Sequence, residues 1–305
     1  MIKFAVIADV QYGDLDDSIG RSYRQSLSKY LLAAGEIAAE NVDFALQLGD
    51  ASQEHWNNHL AIKELFKVGE KAGIKWRHVL GNHDFLVSDK RKPRLYKDFG
   101  LKKPGYYDFE VKDPENPSNN WRFIVLNGNE ISSYAAETPE EKDLAEKERA
   151  RWKLADGSLP ATWNGSVSPK QLHWLENKLK KASEQKENVI VCSHFPLFAN
   201  SKSMDGKRTK AASLLNLDVY YSDMGISTWN GREVLEILDR YPCVKGYFAG
   251  HLHEGSYGVR NNVAHVTFKG IVETNPNALA FVELTPNSII VDGREAQSSH
   301  QFDFA

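Results

Sequence analysis

Seven residues of this sequence have metal-binding side chains and share one local setting. Asp9 ends the apolar run Phe4-Ala5-Val6-Ile7-Ala8, Asp50 ends Phe44-Ala45-Leu46-Gln47-Leu48-Gly49, and Asn82 follows His78-Val79-Leu80-Gly81. His194 follows Val189-Ile190-Val191-Cys192-Ser193, and His251 and His253 follow Gly246-Tyr247-Phe248-Ala249-Gly250. Gln11 stands two residues beyond Asp9. Carboxylate, amide and imidazole donors of this kind suit divalent cations. Brought together, such donors could hold divalent metal, whose chemistry is to polarise a substrate oxygen and lower the pKa of a bound water. A single histidine after a strand is ordinarily structural. The recurrence of the pattern after five apolar runs is what carries the reading.

Residues so far apart in sequence meet only if the strands before them end at a common edge, where open α/β sheets form their ligand crevice. Short apolar runs alternating with helical periodicity supply such strands. Strands are predicted at 3–8, 43–48, 76–80, 106–111, 122–127, 189–193, 244–249, 264–268, 278–284 and 288–291. Helices are predicted at about 26–40, 59–72, 169–184 and 232–241. The third of these is the best marked, because Ser168 caps it, Pro169 suits its first turn and Gln171 completes a capping-box-like pattern. From Ala264 onward strands alternate with tight turns such as Thr285-Pro286-Asn287, which predicts antiparallel pairing and two facing sheets in an α/β fold. Gly49, Gly81 and Gly250 beside the donors permit sharp turns and close backbone approach.

The 305 residues, 41% hydrophobic and 26% charged, fit one globular domain over 1–305 with no separating linker. Residues 129–167 read as an insertion or lid, with dense charge from Glu137 to Lys153. A net charge of -3 argues against nucleic acid or an anionic membrane as partner, and no segment reaches the roughly 20 apolar residues that span a bilayer. The opening apolar run is too short for a signal peptide and ends on Asp9, so a cytoplasmic location is expected, with Cys192 and Cys243 as buried free thiols. The loop Asn200 to Lys210, with Lys202, Lys207, Arg208 and Lys210, is either a plain surface loop or a contact for a substrate diphosphate. Nothing in the sequence announces an obligate protein partner.

The series Asp9-Val10-Gln11, Gly49-Asp50, Gly81-Asn82-His83-Asp84, Ser193-His194 and Gly250-His251-Leu252-His253 resembles the calcineurin-like metallophosphoesterase superfamily over nearly the whole chain. Its motifs run D-x-H, G-D, G-N-H-[DE], H and G-H-x-H. The resemblance implies a four-layer αββα sandwich of two mixed sheets flanked by helices, with two divalent metal ions in one site. Asp9, Gln11 and His253 would bind one ion, Asn82, His194 and His251 the other, and Asp50 would bridge them; a metal-bridging hydroxide would attack phosphorus. His83 resembles the family histidine that meets the scissile phosphate or protonates the leaving group, and Asp84 is expected to orient its imidazole and favour the protonated form.

Gln11 departs from the usual histidine of the first motif, and its amide oxygen favours Mn²⁺, with Mg²⁺, Fe or Zn²⁺ as alternatives. The same departure, with Gly270-Ile271-Val272-Glu273-Thr274-Asn275-Pro276-Asn277, resembles the Mn²⁺-dependent ADP-ribose/CDP-alcohol diphosphatases. That implies a small-molecule nucleoside diphosphate substrate: ADP-ribose to AMP and ribose 5-phosphate, or a CDP-alcohol to CMP and a phosphoalcohol. A cyclic-nucleotide phosphodiesterase or broad phosphomonoesterase is the alternative within the superfamily, and a non-catalytic scaffold the alternative outside it. Candidates for substrate contact are the aromatic residues Tyr12, Phe85, Phe195 and Trp229 near the motifs, together with Tyr23 and Arg24, each with a competing reading as core or surface salt bridge.

Overall fold

The computed structural model describes residues 1–153, 157–197 and 227–304. Its strands are β1 (Ile2–Ile7), β2 (Phe44–Gln47), β3 (Trp76–His78), β4 (Tyr107–Lys112), β5 (Asn120–Val125), β6 (Asn188–Cys192), β7 (Val244–Ala249), β8 (Ser256–Arg260), β9 (Val263–Thr267), β10 (Ala278–Leu284), β11 (Ser288–Glu295) and β12 (His300–Asp303). The α-helices of the described residues are α1 (Ser26–Ala39), α2 (Trp56–Lys71), α3 (Lys92–Asp98), α4 (Pro139–Arg151), α5 (Pro169–Glu184) and α6 (Gly231–Leu238). Among the described residues two six-stranded sheets form, in the orders β12-β11-β10-β1-β2-β3 and β4-β5-β6-β7-β9-β8.

Strand alternation builds the layers. Along β1, Phe4 and Val6 point between the sheets, while Ala5 and Ile7 point to the helices outside. Phe4 stacks on Phe44 with ring centroids 4.8 Å apart and meets Phe123 of the other sheet edge-on at 5.2 Å. Each such side chain contributes about 1.5–3 kcal/mol by leaving water. Helices α1 and α2 cover the first sheet through Tyr30, Ala33, Ile37, Ile62 and Phe66. Helices α5 and α6 cover the second through Leu175, Leu179, Val234 and Leu238. The result is the expected αββα sandwich.

Three features differ from the sequence reading. Strand β9 pairs parallel with β7, Ala264 lying opposite Gly246, and antiparallel with β8; the antiparallel meander that takes the chain back to β1 starts only at β10. Strands β8 and β12 are sheet edges of mixed polar sequence with no apolar run to mark them. The box at Ser168 is half made: its hydroxyl accepts from Gln171 N at 3.1 Å, but the Gln171 amide turns inward to the Asn127 carbonyl and Glu130. A reciprocal box occurs instead at Thr138 and Glu141, starting α4 within the charged segment.

Strands β1, β2 and β3 run parallel, as do β5, β6 and β7, so the carboxyl ends of β1, β2, β3, β6 and β7 open on one edge of the sandwich. Segment 270–272 crosses there from the second sheet to the first: Gly270 N donates to His253 O at 3.1 Å, and Ile271 N and Val272 N donate to Ala8 O and Asp9 O. Cys192 and Cys243 are free thiols, Cys192 fully buried and Cys243 partly so. The loop Asn200 to Lys210 lies outside the described residues.

Candidate metal centre

The turns after these strands are tight. Asp9, Gln11, Asp50 and His251 all adopt positive φ, between 41° and 69°, a conformation costly for residues other than glycine and concentrated at functional sites. Backbone bonds from Gln11 N to Asp50 O (2.8 Å) and Gly250 N to His194 O (3.0 Å) hold the turns together. Gly81 passes so near Asp50 that a Cβ there would lie 2.0 Å from Oδ1; one at Gly49 would lie 2.4 Å from His194 Nδ1.

All seven candidate donors converge, and Asp9, Gln11, Asp50, Asn82 and His194 are fully buried. His194 Nδ1 lies 2.8 Å from the Leu48 carbonyl, which only accepts, so that nitrogen carries the proton. Its Nε2 then faces Asn82 Oδ1 at 3.0 Å, Asp50 Oδ2 at 3.2 Å and His251 Nδ1 at 3.2 Å. Donor atoms of Asp50, His194 and His251 lie within 4.8 Å of one another.

On the other side of Asp50, Asp9 Oδ1 lies 3.3 Å from His253 Nε2, and Asp9 Oδ1 and Gln11 Oε1 are buried without a hydrogen-bond partner. The Gln11 amide nitrogen donates to Asp50 Oδ2 at 3.1 Å, which leaves Oε1 for another partner. Crowded, buried acceptors without donors are costly alone and fit positive charge. Burial lowers His194 and His253, but Asp50 and Asp9 respectively outweigh it and raise each to about 9. Each acid therefore favours positive charge on its imidazole, and a divalent cation meets the same demand. Both groups of residues fit a metal ion.

His83 follows in a short 3₁₀ turn, with its backbone N donating to Asp50 Oδ1 at 2.7 Å. Its ring Nε2 lies 3.9 Å from Asp50 Oδ2, and its Nδ1 is buried without a partner. Asp84 does not orient this ring, contrary to expectation. Its carboxylate accepts from Gly81 N at 2.9 Å and Ser52 N at 3.0 Å, bracing the loop instead. Burial and the nearby Asp50 charge raise Asp84 to about 7, while burial, only partly opposed by Asp50, lowers His83.

The substrate-contact candidates fare differently. Tyr23, Phe85 and Trp229 are buried in the fold and offer no open ring face, and Trp229 Nε1 donates to Ala161 O. Phe195 is buried and packs edge-on against His251 (4.8 Å) and against His194 (5.0 Å), buttressing both imidazoles. Arg24 forms an exposed pair with Asp14 and Asp16. Only Tyr12 stays half-exposed beside the site, pairing with Ser52 through an isolated bridge.

Two residues escaped the sequence reading of the site. Glu273 Oε1 lies 2.8 Å from His253 Nδ1, and Arg21 Nε lies 2.9 Å from the same oxygen. The available signal was an acid directly after the apolar Ile271-Val272, inside a stretch already singled out for similarity.

A sequence model described as calcineurin-like phosphoesterase matches residues 2–255. The chain belongs to the calcineurin-like phosphoesterase family. The manganese-dependent ADP-ribose/CDP-alcohol diphosphatase of Xenopus tropicalis is 30% identical to it, covering 91% of this chain and 86% of its own. The Arabidopsis thaliana protein of the same name is also 30% identical, over 99% of this chain and 97% of its own. A crystal structure of a dimetal phosphatase from Danio rerio shares this fold with TM-score 0.77 at 24% identity, covering 100% of this chain and 99% of that one.

Proposed function

We propose that the chain is a two-metal diphosphatase that splits nucleoside diphosphate linkages, releasing AMP from ADP-ribose or CMP from CDP-alcohols. The observation that carries this is Asp50, with donors on both sides: His194 and the His251 and Asn82 side chains on one, Gln11 on the other with Asp9 and His253 beyond it. Relatives similar over almost their whole length bear the diphosphatase name, which supports the substrate class. Asp9, Gln11 and His253 would hold one metal ion, Asn82, His194 and His251 the other, with Asp50 between. One nitrogen and two oxygens in the first group favour Mn²⁺.

Bound there, two divalent cations would polarise the phosphoryl group and lower the pKa of a water. The chain's own residues do the rest. Asp50 and the His194 proton on Leu48 O fix the donor geometry, and Phe195 stops the imidazoles from turning. His83 offers a ring nitrogen to the substrate phosphate or the leaving oxygen. The stretch between β5 and α5, with α4 at Pro139–Arg151, then reads as the insertion over 129–167. The two free thiols agree with a reducing, cytoplasmic setting.

The test is product identification from metal-stripped protein, with and without Mn²⁺, on ADP-ribose, CDP-choline, cyclic AMP and a simple phosphomonoester. AMP and CMP released only with metal support the proposal. Turnover of cyclic AMP or the monoester alone replaces it with the phosphodiesterase or phosphomonoesterase reading.

A further inference from the structure

We infer that Glu273 is a positioning residue for the metal position of Asp9, Gln11 and His253, and that Arg21 holds Glu273 in place; this rests on the metal reading proposed above. A carboxylate only accepts, so the 2.8 Å contact between Glu273 Oε1 and His253 Nδ1 puts the imidazole proton on Nδ1. In the neutral imidazole, the form that ligates a metal, Nε2 then carries the lone pair, aimed at the space it shares with Asp9 Oδ1, 3.3 Å away and without a hydrogen-bond partner. A carboxylate behind a ligating histidine fixes its tautomer and strengthens it as a donor.

Glu273 is itself fixed. Arg21 Nε donates to the same Oε1 at 2.9 Å, a charge-assisted bond, so the carboxylate turns away from His253 only by also leaving Arg21. The backbone adds two restraints. Ser22 N donates to Val272 O at 3.0 Å, tying the residue after Arg21 to the residue before Glu273, and Arg21 closes a turn with Ser18 through paired bonds of 2.8 and 3.2 Å. The segment between β1 and α1 is thereby joined to the metal site through one side-chain chain: Arg21, Glu273, His253, Asp9.

The position served is the one that needs support. Gln11 contributes a neutral amide oxygen there, a weaker donor than an imidazole, so the quality of His253 as a ligand weighs more in the affinity of this position than it would with a histidine at 11.

Metal-stripped protein titrated with Mn²⁺, with free Mn²⁺ read by electron paramagnetic resonance, tests the inference without substrate. The wild type is expected to bind two ions. Glu273→Ala should weaken one of them by about 10–100-fold and leave the other unchanged. Glu273→Gln, which keeps an acceptor oxygen but loses the charge, should fall between, and Arg21→Gln should weaken the same ion by less. Each variant is also melted metal-free, since a purely structural role would lower the midpoint without singling out one ion. Two unchanged affinities in Glu273→Gln, with a native melting transition, overturn the inference even if the alanine variant fails to fold. A wild type that binds no Mn²⁺ overturns the metal reading and this inference together, whereas binding without diphosphate hydrolysis overturns only the proposed substrate.

Discussion

Asp50 touches nearly every part of the centre: Oδ1 accepts from His83 N, and Oδ2 meets the Gln11 amide and His194 Nε2. Substituting Asp50→Asn keeps the volume and removes the charge between the two groups of donors. Turnover should fall by more than about 100-fold, the scale on which electrostatic groups act in preorganised sites, with metal content reduced and unfolding still cooperative. Retained activity would end the assignment of a bridging role. His83 is a separate case, because its backbone makes the contact to Asp50 while its ring Nδ1 is left without a partner. His83→Ala should therefore spare metal content but lower kcat on the order of 10²-fold. Loss of metal and fold together would show that the ring supports the loop.

The strands that end at the centre depend on how their sheet is anchored, and Arg122 of β5 is the main polar anchor. Its buried guanidinium bonds Asp108 and Glu110 (2.6 Å) of β4 and, at 2.7 Å, Glu187 just before β6. Removing one member of such a buried network leaves the others uncompensated and costs about 3–5 kcal/mol. Arg122→Met should lower the urea midpoint accordingly; a change under about 1 kcal/mol would place the carboxylates effectively in water. The hydrogen bond from Arg122, only partly opposed by burial, holds the Glu110 carboxyl below its ordinary value. A depressed carboxyl stabilises fully above its unfolded pKa, about 4.3, and that share is lost as pH falls through the lower folded value. The stability gap between wild type and Glu110→Gln should therefore be constant near neutrality and close in acid. A gap that widens below pH 4 would contradict this.

Across the whole molecule, the donors come from both sheets: Asp9, Gln11, Asp50 and Asn82 follow strands of the first, His194, His251 and His253 strands of the second. Metal held between them would join the two halves of the sandwich, so binding should stabilise the global fold. A ligand that binds only the folded state at 100 times its Kd adds about 2.7 kcal/mol. Chelation should lower the melting temperature and Mn²⁺ should restore it, with a smaller Mn²⁺ response in Asp50→Asn. Identical melting of stripped and Mn²⁺-loaded wild type would show that the sheets do not need the ions.

The sequence alone determined which residues follow strand ends, because β1, β2, β6 and β7 are apolar runs closed by a polar donor, and such runs stay legible wherever both faces are buried. It also carried the helices with strong apolar periodicity, α5 above all. The edge strands β8 and β12 were lost because half-exposed strands need no apolar run. With β8 unseen, β9 read as the start of the antiparallel meander although it continues the parallel part of its sheet. Only the tertiary structure decided which side chains face each other: that Asp84 braces Gly81 and Ser52 while the His83 ring goes without it, that Phe195 buttresses imidazoles while Phe85 fills the core, and that Glu273 and Arg21 stand behind His253. Those outcomes depend on turn geometry and on contacts between residues up to 252 positions apart. Local pattern reports where a side chain leaves its strand, and packing sets what it meets.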